Sequence, residues 1–147
     1  MTRSFTFTKI HVGWVTAEIR STSEVHTVQA SYVSDAIRDF ADALASLGTT
    51  PTATCFWEQE PGVFEWDLLR SGSGLTVTGW SKPNQQPQFQ FSFLYRSFCN
   101  DVLNSLNNLK SEFGLPKFEK EWGYPFPAEA SKKLEDVISS NQTAETA

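Results

Sequence analysis

"CFWEQEPGVFEWDLL", Cys55 to Leu69, reads as two strands folded about Pro61-Gly62. Apolar and polar residues alternate on either side of that dipeptide, the period of a half-buried strand. A two-residue turn there sets Trp57 opposite Trp66, Cys55 opposite Leu68 and Gln59 opposite Phe64. That face is apolar enough for a core. The other face sets Glu58 opposite Glu65, Phe56 opposite Asp67 and Glu60 opposite Val63, gathering the carboxylates of Glu58, Glu60, Glu65 and Asp67. Like charges directly across a strand pair are destabilising, so such a face asks for a reason.

Downstream, "RSGSGL" marks a second hairpin turn. With Gly72-Ser73 at its centre, Trp80 lies across from Glu65, an aromatic among carboxylates. Strands are expected over 53–60, 63–70, 75–81 and 88–95, with "PNQQPQ" as a polar loop. "QFQFSFLY" puts Phe89, Phe91, Phe93 and Tyr95 on one face. Upstream, "FTFTKIHV" and "WVTAEIRST" are strands joined near Gly13. Phe5 and Phe7 share one parity and Ile10 and Val12 the other, which requires a bulge near Lys9. "EVHTVQASYV" is a third strand.

The period then becomes helical. "SDAIRDFADALASLG" carries Ser34 as N-cap, Ile37, Phe40, Ala41, Leu44 and Leu47 inward, and Gly48 at its end. Asp35, Asp39 and Asp42 form an acidic stripe on its outer face. A second helix, capped by Ser97, turns Phe98, Val102, Leu106, Leu109 and Phe113 inward and stops at Gly114 and Pro116. "WGYPFP" is expected as an irregular lid holding Trp122, Tyr124 and Phe126 over the core. A third helix runs from about Ala128 to Ser139, and 141–147 forms a disordered tail. The order is βββ-α-ββββ-α-α. It predicts an α+β fold, a curved antiparallel sheet or sheets of about seven strands with helices packed on one side. One domain covers 1–140, since 147 residues suit a single core.

The net charge of −5 is unevenly placed. Residues 1–73 hold 5 Lys/Arg and 9 Asp/Glu, against 7 and 8 in residues 74–147. An acidic chain is poorly matched to nucleic acid or an anionic membrane. No apolar run approaches the roughly 18 residues of a membrane span, and "MTRSFTFTKI" lacks the apolar core of a signal peptide. Cys55 and Cys99 are expected as buried thiols in a cytoplasmic protein. His11 and His26 are the two histidines, and no HxH or HExxH motif surrounds them. No GxSxG elbow or phosphate loop occurs either. The chain is therefore expected to use no metal, no cofactor and no catalytic residues. Two other readings stand beside this one. His26, Tyr32 and Trp80 could line an aromatic ligand pocket in a binding protein or enzyme. The aromatic strands could stack single-stranded nucleic acid, although strands 53–70 offer only Arg70 for phosphates.

"SYVSDAIRDFADAL", "WEQEPGVFEWDLLRSGSGL" and "EWGYPFP" together resemble a group of small bacterial proteins. Some of these are immunity proteins of contact-dependent inhibition and other polymorphic toxin systems. The resemblance covers about residues 30–127. One such immunity protein is similar to the Whirly single-stranded-DNA-binding fold, whose order is strands, helix, strands, helix; this chain has that order with fewer strands in its first half. The resemblance implies a cytoplasmic antitoxin that binds the C-terminal domain of one cognate toxin. It carries over no catalytic residue and no oligomeric state. Toxin nuclease domains are basic because they bind phosphates, and an acidic face complements them. The partner-binding residues are then expected to be Glu58, Glu60, Glu65, Asp67 and Trp80, with Asp35, Asp39 and Asp42 as a second patch.

Overall fold

The strand parities of the sequence are kept throughout a computed structural model of the chain, which describes residues 3–82 and 86–146, the last six in their backbone only. β1 (Phe5–His11), β2 (Trp14–Arg20) and β3 (Val25–Ser31) form one antiparallel sheet. Its register shifts between Phe7 and Lys9, the bulge that the change of parity demands. After α1 (Ala36–Ser46), a second antiparallel sheet runs in the order β4 (Thr52–Glu58), β5 (Val63–Ser71), β6 (Gly74–Lys82), β7 (Pro87–Leu94). α2 (Tyr95–Phe113), α3 (Leu115–Trp122) and α4 (Ala128–Thr146) complete an α+β fold of seven strands and four helices.

The two sheets meet through aromatic rings. Phe40 of α1 stacks on Phe5 of the first sheet at 4.8 Å between centroids, and meets Trp66 of the second edge-on at 4.7 Å. Trp57 stands 5.1 Å from Trp66 and 6.4 Å from Phe7. All five rings are buried, and offset or edge-to-face pairs of this kind add to their burial energy. α2 lies along β1 and is pinned to it by polar bonds. The Phe7 N–H donates to Ser105 Oγ at 2.6 Å, and the Ser4 N–H and hydroxyl both donate to Asp101.

Three expectations change. The β4–β5 turn is centred on Glu60-Pro61, not Pro61-Gly62, and the peptide bond between Glu60 and Pro61 is cis. The favoured two-residue hairpin turns need positive φ at their first central position, and proline's ring forbids it. Glu60 takes that position at φ 43, and Gly62 follows at φ 90. The register therefore moves by two residues: Trp57 pairs with Phe64, Cys55 with Trp66, Glu58 with Val63. A shift of two keeps every side chain on its face. The second change is α3, over residues that were expected only to end the second helix and lead into the lid. Pro116 opens it, Gly123 closes it at φ 112, and Phe118 and Trp122 are buried one turn apart. Thirdly, α2 begins at Tyr95, ahead of Ser97, so Tyr95 leaves the strand; its hydroxyl donates to Leu44 O at 2.8 Å. "PNQQPQ" lies partly outside the described residues, as does the end of the expected tail, while residues 141–146 continue the backbone of α4.

The lid at "WGYPFP" takes its expected place. Trp122 is buried, Phe126 packs on Phe118 at 5.4 Å, and the Tyr124 hydroxyl donates to Tyr32 O. Cys55 and Cys99 are buried free thiols, and burial pushes the Cys55 thiol far above its ordinary value. No helix among the described residues is long and apolar enough to cross a membrane.

Candidate functional site

Alternation along β4, β5 and β6 aims one set of side chains at the core and the other outward. The outward set forms rows across three strands. Phe56 pairs with Glu65, and Glu65 pairs with Trp80 on its other side. The next row is Thr54, Asp67, Thr78. The like charges expected face to face are thus separated: Glu58 stands diagonally from Glu65, and each β5 carboxylate lies between uncharged neighbours. Thr54 Oγ1 donates to Asp67 Oδ1 at 3.0 Å. Lys82 Nζ lies 3.3 Å from Glu65 Oε1 and 5.6 Å from the Trp80 ring centroid.

Glu65 and Asp67 are on one strand, one pleat apart on the same face. Asp67 holds the Glu65 carboxyl above its usual range, first through a hydrogen bond between the two acids, then with burial and charge repulsion; Lys82 opposes the shift. Glu58 makes no ion pair among the described residues, and Glu60 is exposed in the turn. The sequence placed Trp80 beside Glu65, and there it lies. Sequence reasoning passed over Phe56, which is 50% exposed at the edge-strand end of this row. Its signal was an apolar residue at a polar parity, between Cys55 and Trp57.

The helix patch divides. Asp39 and Asp42 face solvent on α1, within reach of Arg38 (3.1 Å) and Lys133 (3.4 Å) respectively. Such exposed pairs are weak. Asp35 is not on the outer face. It is the N-cap of α1, the role expected of Ser34, and accepts from the Arg38 N–H at 3.3 Å. Its carboxylate also accepts from Trp122 Nε1 at 2.9 Å, and the residue is buried. Burial raises its pKa, opposed by the hydrogen bonds from Trp122 and Arg38 and by the Arg38 charge. Asp35 therefore fastens α1 to the end of α3 and takes no part in the surface.

A groove of about 700 Å³ separates Asp39 and Asp42 from β4, with Phe56 and Thr54 on its far rim. Asp39 and Asp42 thus lie across the groove from Thr54 and Phe56, while Glu58, Glu60, Glu65 and Asp67 do not line it. A second opening, of about 1060 Å³, lies between the β2–β3 turn and β7 and has a mixed lining, polar at Arg3, Ser21 and Ser92 and apolar at Phe91, Phe93 and Leu94. His26, Tyr32 and Trp80 do not converge on a pocket. His26 rests on Phe89 at 5.1 Å, Tyr32 packs beside the Gly13 and Gly123 turns, and Trp80 faces outward. The aromatic stripe of β7 is core at Phe89 and Phe91. His11 pairs with Glu121 at 3.4 Å, far in sequence and contacts from His26. No group of three or more metal-ligating side chains gathers among the described residues. No protein-family model matches the chain, and no curated protein or solved structure matches it significantly.

Proposed function

We propose that the protein is a non-enzymatic cytoplasmic immunity protein that binds and neutralises the C-terminal domain of a basic, nuclease-type toxin. The observation that carries this reading is the Phe56–Glu65–Trp80 row, rimmed by Glu58 and Asp67, with Asp39 and Asp42 across the groove that Phe56 borders. Binding energy concentrates in buried aromatic anchors, while rim charges steer encounter and fix register. This surface holds both, with Phe56 and Trp80 as anchors and the carboxylates as rim. Lys82, between Glu65 and Trp80, keeps the carboxylate oriented in the free protein. The strands–helix–strands–helix order agrees with the arrangement that the sequence resemblance implies.

The test is co-purification with the product of the adjacent toxin gene, followed by binding kinetics. Glu58→Lys with Glu65→Lys should slow association several-fold at low salt and much less at high salt. Trp80→Ala should speed dissociation by about tenfold or more, the loss expected of an anchor. A toxin domain that fails to bind, or one whose kinetics ignore both variants at low salt, overturns the proposal.

A further inference from the structure

Among the described residues no strand pairs with the outer edge of β4, although beyond its end the Gln59 side-chain amide donates to Gln29 O of β3. Its ladder with β5 is bracketed by two bonds, Arg70 N–H to Pro51 O at 2.8 Å and Gln59 N–H to Gly62 O at 3.0 Å. Hydrogen-bonded pairs alternate along an antiparallel ladder, so Ala53, Cys55 and Trp57 turn their main-chain groups to β5. Thr52, Thr54 and Phe56 turn theirs away. Among the described residues those three form no main-chain hydrogen bond to another element, and only Thr52 O is engaged, by the Thr50 hydroxyl at 3.3 Å. An open row of donors and acceptors is a template for another strand. This one does not face open water. It forms one side of the 700 Å³ groove whose other wall is α1, at Asp39, Asp42, Ala43 and Ser46.

We infer that this groove receives an extended basic segment of the partner, which adds to the second sheet as a strand beside β4. The inference rests on the proposed function and specifies how the acidic surface is engaged. Thr52 to Phe56 offers about 17 Å of edge, enough for a guest of about five residues. Guest side chains alternate between two faces. Those on the helix side meet Asp39 and Asp42 and suit lysine or arginine. Those on the outer side meet Phe56 and Thr54 and suit apolar residues. Main-chain bonds supply affinity in this mode, and the alternate pockets supply selection.

The probe is a capped decapeptide of alternating lysine and valine, with its glutamate–valine counterpart as control. The full-length protein is followed by amide hydrogen exchange and by titration at low salt. The lysine peptide should slow exchange at Thr54 and Phe56 at least tenfold, and the glutamate peptide should not. Thr54→Pro removes one outward N–H at an edge position where proline is tolerated. It should weaken lysine-peptide binding at least tenfold. Thr54→Ala, which keeps the N–H and loses the bond to Asp67, should stay within twofold. Circular dichroism and an unchanged denaturation midpoint establish that both variants fold. If Thr54→Pro does not fold, the exchange pattern of the wild type decides alone. Binding that depends on Asp39 and Asp42 but leaves β4 exchange unchanged overturns strand addition and leaves the acidic surface standing. Equal binding of both peptides, or none of the lysine peptide, overturns the inference; the toxin-domain kinetics above judge the functional reading independently.

Discussion

Asp35 offers a quantitative test of what is structure and what is surface. Replacing it with alanine removes two bonds at once. The N-cap contact to the Arg38 N–H is worth about 1 kcal/mol. The Trp122 indole N–H, buried at zero exposure, would be left without its acceptor at a cost of about 1–3 kcal/mol. Asp35→Ala should therefore destabilise by about 2–4 kcal/mol, a large share of the roughly 5–15 kcal/mol of a typical domain. Asparagine keeps an oxygen for both donors and sheds the buried charge, so Asp35→Asn should stay within about 1 kcal/mol of wild type. The pH dependence has a definite sign. The folded pKa of Asp35 is raised above its ordinary 3.8. Its contribution to stability is complete below that value and is lost as pH rises through the folded pKa. Asp35→Asn should thus gain on wild type between about pH 3.8 and neutrality. Urea denaturation followed by tryptophan fluorescence, at a series of pH values, measures both effects. An alanine variant within about 0.5 kcal/mol of wild type at pH 7 would refute the fastening role and return Asp35 to the list of surface carboxylates.

Asp67→Asn should lower the Glu65 pKa, because Asp67 is the first cause of its elevation. The raised folded pKa means that wild type loses stability as pH climbs past about 4.5, so the variant should gain on wild type between pH 4 and pH 7, as read from denaturation midpoints at the two values. Gly79→Ala drives a methyl group into the rings of Phe64 and Phe89 and should cost about 1–3 kcal/mol by overpacking, visible as a lower melting temperature. Ser105→Ala orphans the buried Phe7 N–H, should cost about 1–3 kcal/mol, and should raise exchange at that amide first. Phe56→Ala should change stability by less than about 0.5 kcal/mol, since half the ring is in water, while weakening any partner bound at the second sheet.

The parity of every strand was legible because a period of two is local. Cys55, Trp57, Phe64 and Trp66 could be assigned to the core from their neighbours alone, and the opposition of Trp80 and Glu65 followed from a turn at Gly72-Ser73 whose residues suit it. Register at the first hairpin was less legible. It depended on whether Pro61 or Glu60 took the first turn position, a matter of φ that hydrophobic pattern does not record. α3 went unread because eight residues between a glycine–proline boundary and a glycine show barely two turns of periodicity. The site shows the same split. The carboxylates of the sheet and of α1 were visible as stripes, but the groove that sets Asp39 and Asp42 across from Thr54 and Phe56 is tertiary. Ser34 and Asp35 are both good capping residues, and the donor that settles Asp35 is Trp122, 87 positions away.

The bonds that tie the first sheet to α2 and α3 have a consequence for how the chain is made. β1, β2 and β3 are complete by Ser31, yet the groups that hold them come 97 to 109 positions after their partners: Asp101 for Ser4, Ser105 for Phe7, Glu121 for Val12. At about 5–20 residues per second, some ninety residues take on the order of 10 s to synthesise. Through that interval the first sheet has Phe40 of α1 and then Trp57 and Trp66 of the second sheet to pack against, but not all of the polar bonds that dock α2 and α3, and pairings of such long separation close slowly. A ribosome that stops at residue 113 releases a first sheet without Glu121 and a first helix without Trp122, although the strands that carry the acidic surface have by then been translated.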